Sequence, residues 1–80
     1  MSKPGPRPVV GDLIWLVDIC TVHGTPSEHI CTVQDTLSEM LRATYEVARA
    51  DGGWTERTLF AFYRDCEWDI REQRWIGKAG

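Results

Sequence analysis

The run Gln34-Asp35-Thr36-Leu37-Ser38-Glu39-Met40-Leu41-Arg42-Ala43-Thr44-Tyr45-Glu46-Val47-Ala48-Arg49-Ala50-Asp51 decides the fold, because two templates fit it. As a helix, Thr36 and Glu39 make a Thr-x-x-Glu capping box. Leu37, Met40, Leu41, Tyr45 and Ala48 then line one face, and Gly52 supplies the C-cap. As strands, Leu37-Ser38-Glu39 is a turn. The chain from Met40 to Val47 then alternates, with Leu41, Ala43, Tyr45 and Val47 on one face and Arg42, Thr44 and Glu46 on the other. Taken alone, the segment favours the helix.

The flanks read as strand. Upstream, Ile30-Cys31-Thr32-Val33 follows His29, and Val9 to Val17 is rich in β-branched and aromatic residues. Between them, Asp18 to Glu28 has the composition of a loop, with Gly24, Thr25, Pro26 and Ser27. Downstream, Asp51-Gly52-Gly53 is a turn signal, and Thr55 to Tyr63 is a second clear strand. Arg64 to Ile70 alternates again: Asp65, Glu67 and Asp69 on one face, Cys66, Trp68 and Ile70 on the other. Pro4, Pro6 and Pro8 make residues 1–8 an extended, flexible arm. Residues 9–70 are expected to form the globular domain, and 71–80 a partly flexible tail that opens as a helical turn. The expected core is Leu13, Trp15, Val33, Leu41, Tyr45, Phe60, Phe62 and Trp68.

Eighty residues and 9.1 kDa allow a single domain with a thin core. No apolar run approaches the ~20 residues of a membrane span. The first residues lack the apolar stretch of a signal peptide, so the expectation is a cytoplasmic protein with no membrane partner. A net charge of −3 and a pI near 5.2 argue against a dedicated nucleic-acid binder. Cys20, Cys31 and Cys66 are an odd number, which suits reduced thiols better than a disulfide framework. Cys66 lies between Asp65 and Glu67, which should raise its pKa and disqualify it as a nucleophile.

The order of signals carries a resemblance. Gly11-Asp12-x-Ile14-Trp15 opens a strand. Thr32-Val33-x-x-x-Leu37-Ser38 follows, and Leu59-Phe60-x-Phe62-Tyr63-x-Asp65-x-x-Trp68 closes the run. This resembles small SH3-like β-barrel proteins of the kind encoded by phages and prophages. The resemblance implies that the middle segment is a strand pair joined at the Leu-Ser turn. It implies a mainly β fold, a small antiparallel barrel, and a binding role without catalytic residues. The connection from Tyr45 to Gly53 is longer than a tight hairpin. That keeps open the α+β alternative, an antiparallel sheet with one helix at about 36–50.

Three constellations bear chemistry. Cys20-x-x-His23 followed by His29-x-Cys31 holds both histidines and could offer zinc four ligands. The plainer reading is solvated histidines beside buried thiols, and no metal or cofactor is expected. Asp65, Glu67 and Asp69 share an exposed face without a cleft, so they suit contact with a basic protein partner better than acid–base catalysis. Trp54, after the Gly-Gly turn, and Trp75, among Arg71, Arg74 and Lys78, are the aromatic anchors outside the expected core. The expected binding residues are therefore Trp54, Asp65, Glu67, Asp69 and Trp75. The expected function is non-catalytic protein binding. Through the resemblance, its narrower form is a phage accessory inhibitor of a host complex, such as an anti-CRISPR or other counter-defence protein, in the host cytoplasm. The alternative is a small nucleic-acid-binding protein that uses Trp75, Arg71, Arg74 and Trp54.

Overall fold

Residues 40–48 form a strand, and no helix occupies 36–50. The computed structural model describes residues 5–18 and 27–79. Their strands are β1 (Leu13–Asp18), β2 (Ser27–Thr36), β3 (Met40–Ala48), β4 (Trp54–Phe62), β5 (Cys66–Asp69) and β6 (Arg74–Ala79). They build one six-stranded sheet in the order β4-β3-β2-β1-β6-β5. The tie between helix and strand is broken by neighbours. β3 lies between β2 and β4, so a ladder on each side satisfies its backbone groups. Thr36 pairs with Leu41 in the β2–β3 ladder, and the residues after it make the turn. Leu37 N–H donates to Met40 O at 2.8 Å, and the Glu39 carbonyl accepts Tyr63 N–H at 3.0 Å. Across the turn, Arg42 Nε donates to Asp35 Oδ2 at 2.8 Å.

The fold is mainly β, as expected, but the sheet is not closed into a barrel and is not wholly antiparallel. β1 and β6 run parallel, with Ile14 beside Trp75 and Leu16 beside Gly77. All other pairs are antiparallel. β6 fills the free edge of β1, and the four-residue β5 then ends the sheet on that side. Residues 74–79 are thus an interior strand, where a tail was expected. Gly77 suits a close approach there: a Cβ would lie 3.0 Å from Cys66 Sγ and 3.1 Å from Leu16 Cδ2, so both neighbours would have to shift. At the other end, Gly52 turns the β3–β4 connection with φ of +90°, which L side chains rarely adopt. A turn of 3-10 helix at Tyr63–Asp65 joins β4 to β5.

The core lies on the inner face of the curved sheet, where β4 approaches β6. Ile14, Leu16, Cys31, Val33, Leu41, Ala43, Ala61, Trp75 and Ala79 are buried there. This corrects half of the expected core. Val33 and Leu41 are inside, but Leu13 is 53% exposed and Phe60 44%. Tyr45 and Trp68 are half-buried and pack against this cluster, whereas Trp15 and Phe62 are half-buried and do not. The pleat of β1 is set one residue from the expected one, which turns every side chain over. Near the N-terminus, Pro8 is fully buried and the Arg7 guanidinium lies 4.5 Å from the Tyr63 ring centroid.

Candidate functional site

The outer face of β2, β1, β6 and β5 carries a shallow groove of about 240 Å³. Its floor follows from the one-residue pleat. With Ile14 and Leu16 inside, Trp15 and Val17 face out, and Trp15 stands beside Ile30 of β2 and Ile76 of β6. Ile30 is 56% exposed. The Arg74 guanidinium lies over the Trp15 ring, 4.6 Å from its centroid. Lys78 of β6 completes the floor.

Carboxylates line both sides. Glu28 stands on β2; Asp65, Glu67 and Asp69 stand on the β5 side. The three acids read as a stripe in the sequence are therefore brought together. Their roles differ. Asp69 Oδ1 accepts the Arg71 and Glu72 backbone N–H groups at 3.0 and 3.2 Å, so Asp69 shapes the turn into β6. Asp65 ends the 3-10 turn, and Glu67 projects from β5 opposite Ile76. Among the described residues, none of the four carboxylates is within ion-pair distance of Arg74 or Lys78. Four acids against two cations leave the groove negative.

The expected aromatic anchors are not part of it. Trp75 is only 4% exposed and packs edge-on to Trp68, with ring centroids 5.4 Å apart. Its indole belongs to the core and cannot stack a base. Trp54 is 63% exposed but begins β4, at the other end of the strand order. The aromatic residue of the groove is Trp15, which the sequence reading assigns to the core. Ile76 and Lys78 were also missed as site residues, and Arg74 is read only as part of the nucleic-acid alternative. The alternation of Arg74-x-Ile76-x-Lys78 was the signal that could have found them.

Of the zinc candidates, Cys20 and His23 lie outside the described residues. His29 and Cys31 do share a face, but the His29 ring stacks on Tyr45 at 4.0 Å. The Cys31 thiol is buried and donates to the His29 carbonyl at 3.6 Å. Among the described residues, no group of three or more His, Cys, Asp or Glu could hold a metal ion.

Burial pushes the Cys31 thiol from 9.0 to about 11. Burial, and then the Asp65 charge, does the same to Cys66. Neither offers a thiolate near neutral pH. Both hold their proton more tightly folded than unfolded. Between about pH 9 and 11 the unfolded chain therefore sheds protons that the folded one keeps, and stability falls as pH rises. Melting the wild type and Cys66→Ala at the two ends of that window should show the smaller drop in the variant. An equal drop would mean that Cys66 contributes nothing to the alkaline loss.

Comparison with family models, with curated proteins and with solved structures finds no match to this chain.

Proposed function

We propose that this chain is a non-catalytic protein-binding module, which receives a basic segment of a partner in the groove across β2, β1, β6 and β5. The observation that carries the reading is the composition of the groove: an outward indole, Val17 and Ile76 between Glu28 on one side and Asp65, Glu67 and Asp69 on the other. An interface of standard size, ~800 Å² per side, needs a desolvated anchor, and Trp15 is placed to be one. The acids set orientation and on-rate. A partner residue that fits is a lysine or arginine whose stem lies along the apolar floor beside Arg74 and whose charge reaches Glu67 or Glu28.

The narrower form rests on the resemblance to small SH3-like phage proteins. It makes the chain an accessory inhibitor of a host complex, for instance an anti-CRISPR or other counter-defence protein. Small size, a mainly β fold and a negative groove support it, since complexes that handle nucleic acid present basic surfaces. That same chemistry makes the groove a poor place for nucleic acid itself.

The test is a pull-down from host extract with wild type and Glu67→Lys as baits, at low and high ionic strength. The charge reversal should weaken capture of the partner about tenfold at low salt. The difference should fade at high salt, where the Debye length falls to roughly 3 Å. Equal capture by both baits at low salt would remove the groove acids from the interface.

A further inference from the structure

We infer that a second copy of this chain adds to the sheet through β4, edge to edge and antiparallel, with Thr58 of each copy opposite Thr58 of the other. β4 is a nine-residue strand with β3 on one side and no strand on the other. Among the described residues, no backbone hydrogen bond reaches its free edge from any other element. Such an edge is a template for another strand unless something guards it. Its guards are few: Glu56 and Arg57 are its only charges. Trp54-Thr55-Glu56-Arg57-Thr58-Leu59-Phe60-Ala61-Phe62 holds neither proline nor lysine. Its ladder with β3 runs from Met40–Phe62 to Ala48–Trp54 without a bulge. The opposite edge, β5, is protected by its length of four residues and by Glu67 and Asp69. The β2–β3 ladder, by contrast, does carry a bulge, between Val33 and Asp35.

The occupant is a second copy because β4 is complementary to itself. The antiparallel register that pairs all nine residues centres on Thr58. It sets Trp54 opposite Phe62 of the second copy, Glu56 opposite Phe60, and Arg57 opposite Leu59. Trp54 and Phe60, both exposed in the single chain, then lie on the outer face in two aromatic clusters, each of Trp54 from one copy with Phe60 and Phe62 of the other, one on either side of the Thr58 pair. No charge meets its own kind. Centring on Arg57 or Glu56 would oppose two arginines or two glutamates, and both registers leave residues at the Phe62 end unpaired. Centring on Leu59 loses Trp54 from the ladder. The pairing uses no residue of the groove, so a dimer would present that site twice.

Sedimentation of the full chain over a wide concentration range should show a species of twice the 9.1 kDa mass that grows with concentration. Thr58→Lys sets two lysines opposite each other and should return the single-chain mass at the same concentrations, with an unchanged circular-dichroism spectrum. Thr58→Cys reports the register even if the lysine variant misfolds. Directly opposed residues lie about 4.5–5.5 Å apart at Cα, within the reach of a disulfide. Mild oxidation should link two chains through residue 58, while Arg57→Cys, which faces Leu59 of the second copy, should not link to itself. A single-chain mass at every concentration overturns the proposal and leaves the edge to a strand of another protein. A dimer that survives Thr58→Lys, without a 58–58 link in the cysteine variant, also overturns it.

Discussion

Leu16→Ala should lower the unfolding free energy by about 2–5 kcal/mol. Leu16 is fully buried in β1, between β2 and β6. Its Cδ2 reaches toward Gly77, where even a Cβ would crowd it. Alanine leaves a cavity in a core already thin in long side chains, since Ala43, Ala61 and Ala79 are among its members. The loss is comparable to the whole stability of many domains of this size. Phe60→Ala is the control. Although the aromatic is larger, Phe60 is exposed on the outer face, and its removal should cost about 1 kcal/mol or less. Urea denaturation of the two variants orders them. If Phe60→Ala is the more damaging, the pleat of the sheet is inverted from the one described.

Trp15→Ala should weaken partner binding by about 2 kcal/mol or more, which is roughly thirtyfold. The indole is the largest apolar surface of the groove, lies beneath Arg74, and is flanked by Ile30 and Ile76. Desolvation of such an anchor does not depend on salt, so the loss should persist at high ionic strength, unlike that of Glu67→Lys. Folding should survive, since Trp15 is only half-buried and the inner face keeps Ile14 and Leu16. Calorimetric titration of wild type and variant with the captured partner checks the figure. Unchanged affinity would move the anchor off the groove.

The sequence and the structure part company where alternation carries no information. Leu13-Ile14-Trp15-Leu16-Val17 is apolar at every position, so no period says which side faces in. Size then favours Trp15 and Leu13, and the wrong face is chosen. In β4, size favours Phe60 and Phe62 over Leu59 and Ala61. The structure chooses the smaller pair because the inner face of β4 must approach β6 closely. β6 itself was hidden for the same reason: its inward positions after Trp75 are Gly77 and Ala79, which do not register as a core pattern. Where polar and apolar residues alternate, the reading held. Cys66-Glu67-Trp68-Asp69 forms its strand with both acids outside, and Leu41 and Ala43 enter the core from the strand reading of the ambiguous segment. The Asp51-Gly52-Gly53 turn was legible because Gly52 needs a positive φ and Asp51 Oδ1 accepts the Gly53 N–H at 2.9 Å. The groove was half legible. Its acids follow from local alternation, but Trp15, Glu28 and Lys78 join them only through the pairing of β1 with β2 and β6, which are remote in sequence.

Carboxylate footprinting of the free and the partner-bound protein tests the central claim most directly, because each acid reports its own exposure. Partner binding should protect Glu28, Asp65 and Glu67 from carbodiimide labelling, and Glu56 and Asp51, which lie outside the groove, should label as before. Protection of Glu56 and Asp51 with no change at Glu28, Asp65 and Glu67 would contradict the account and place the partner on another face of the sheet.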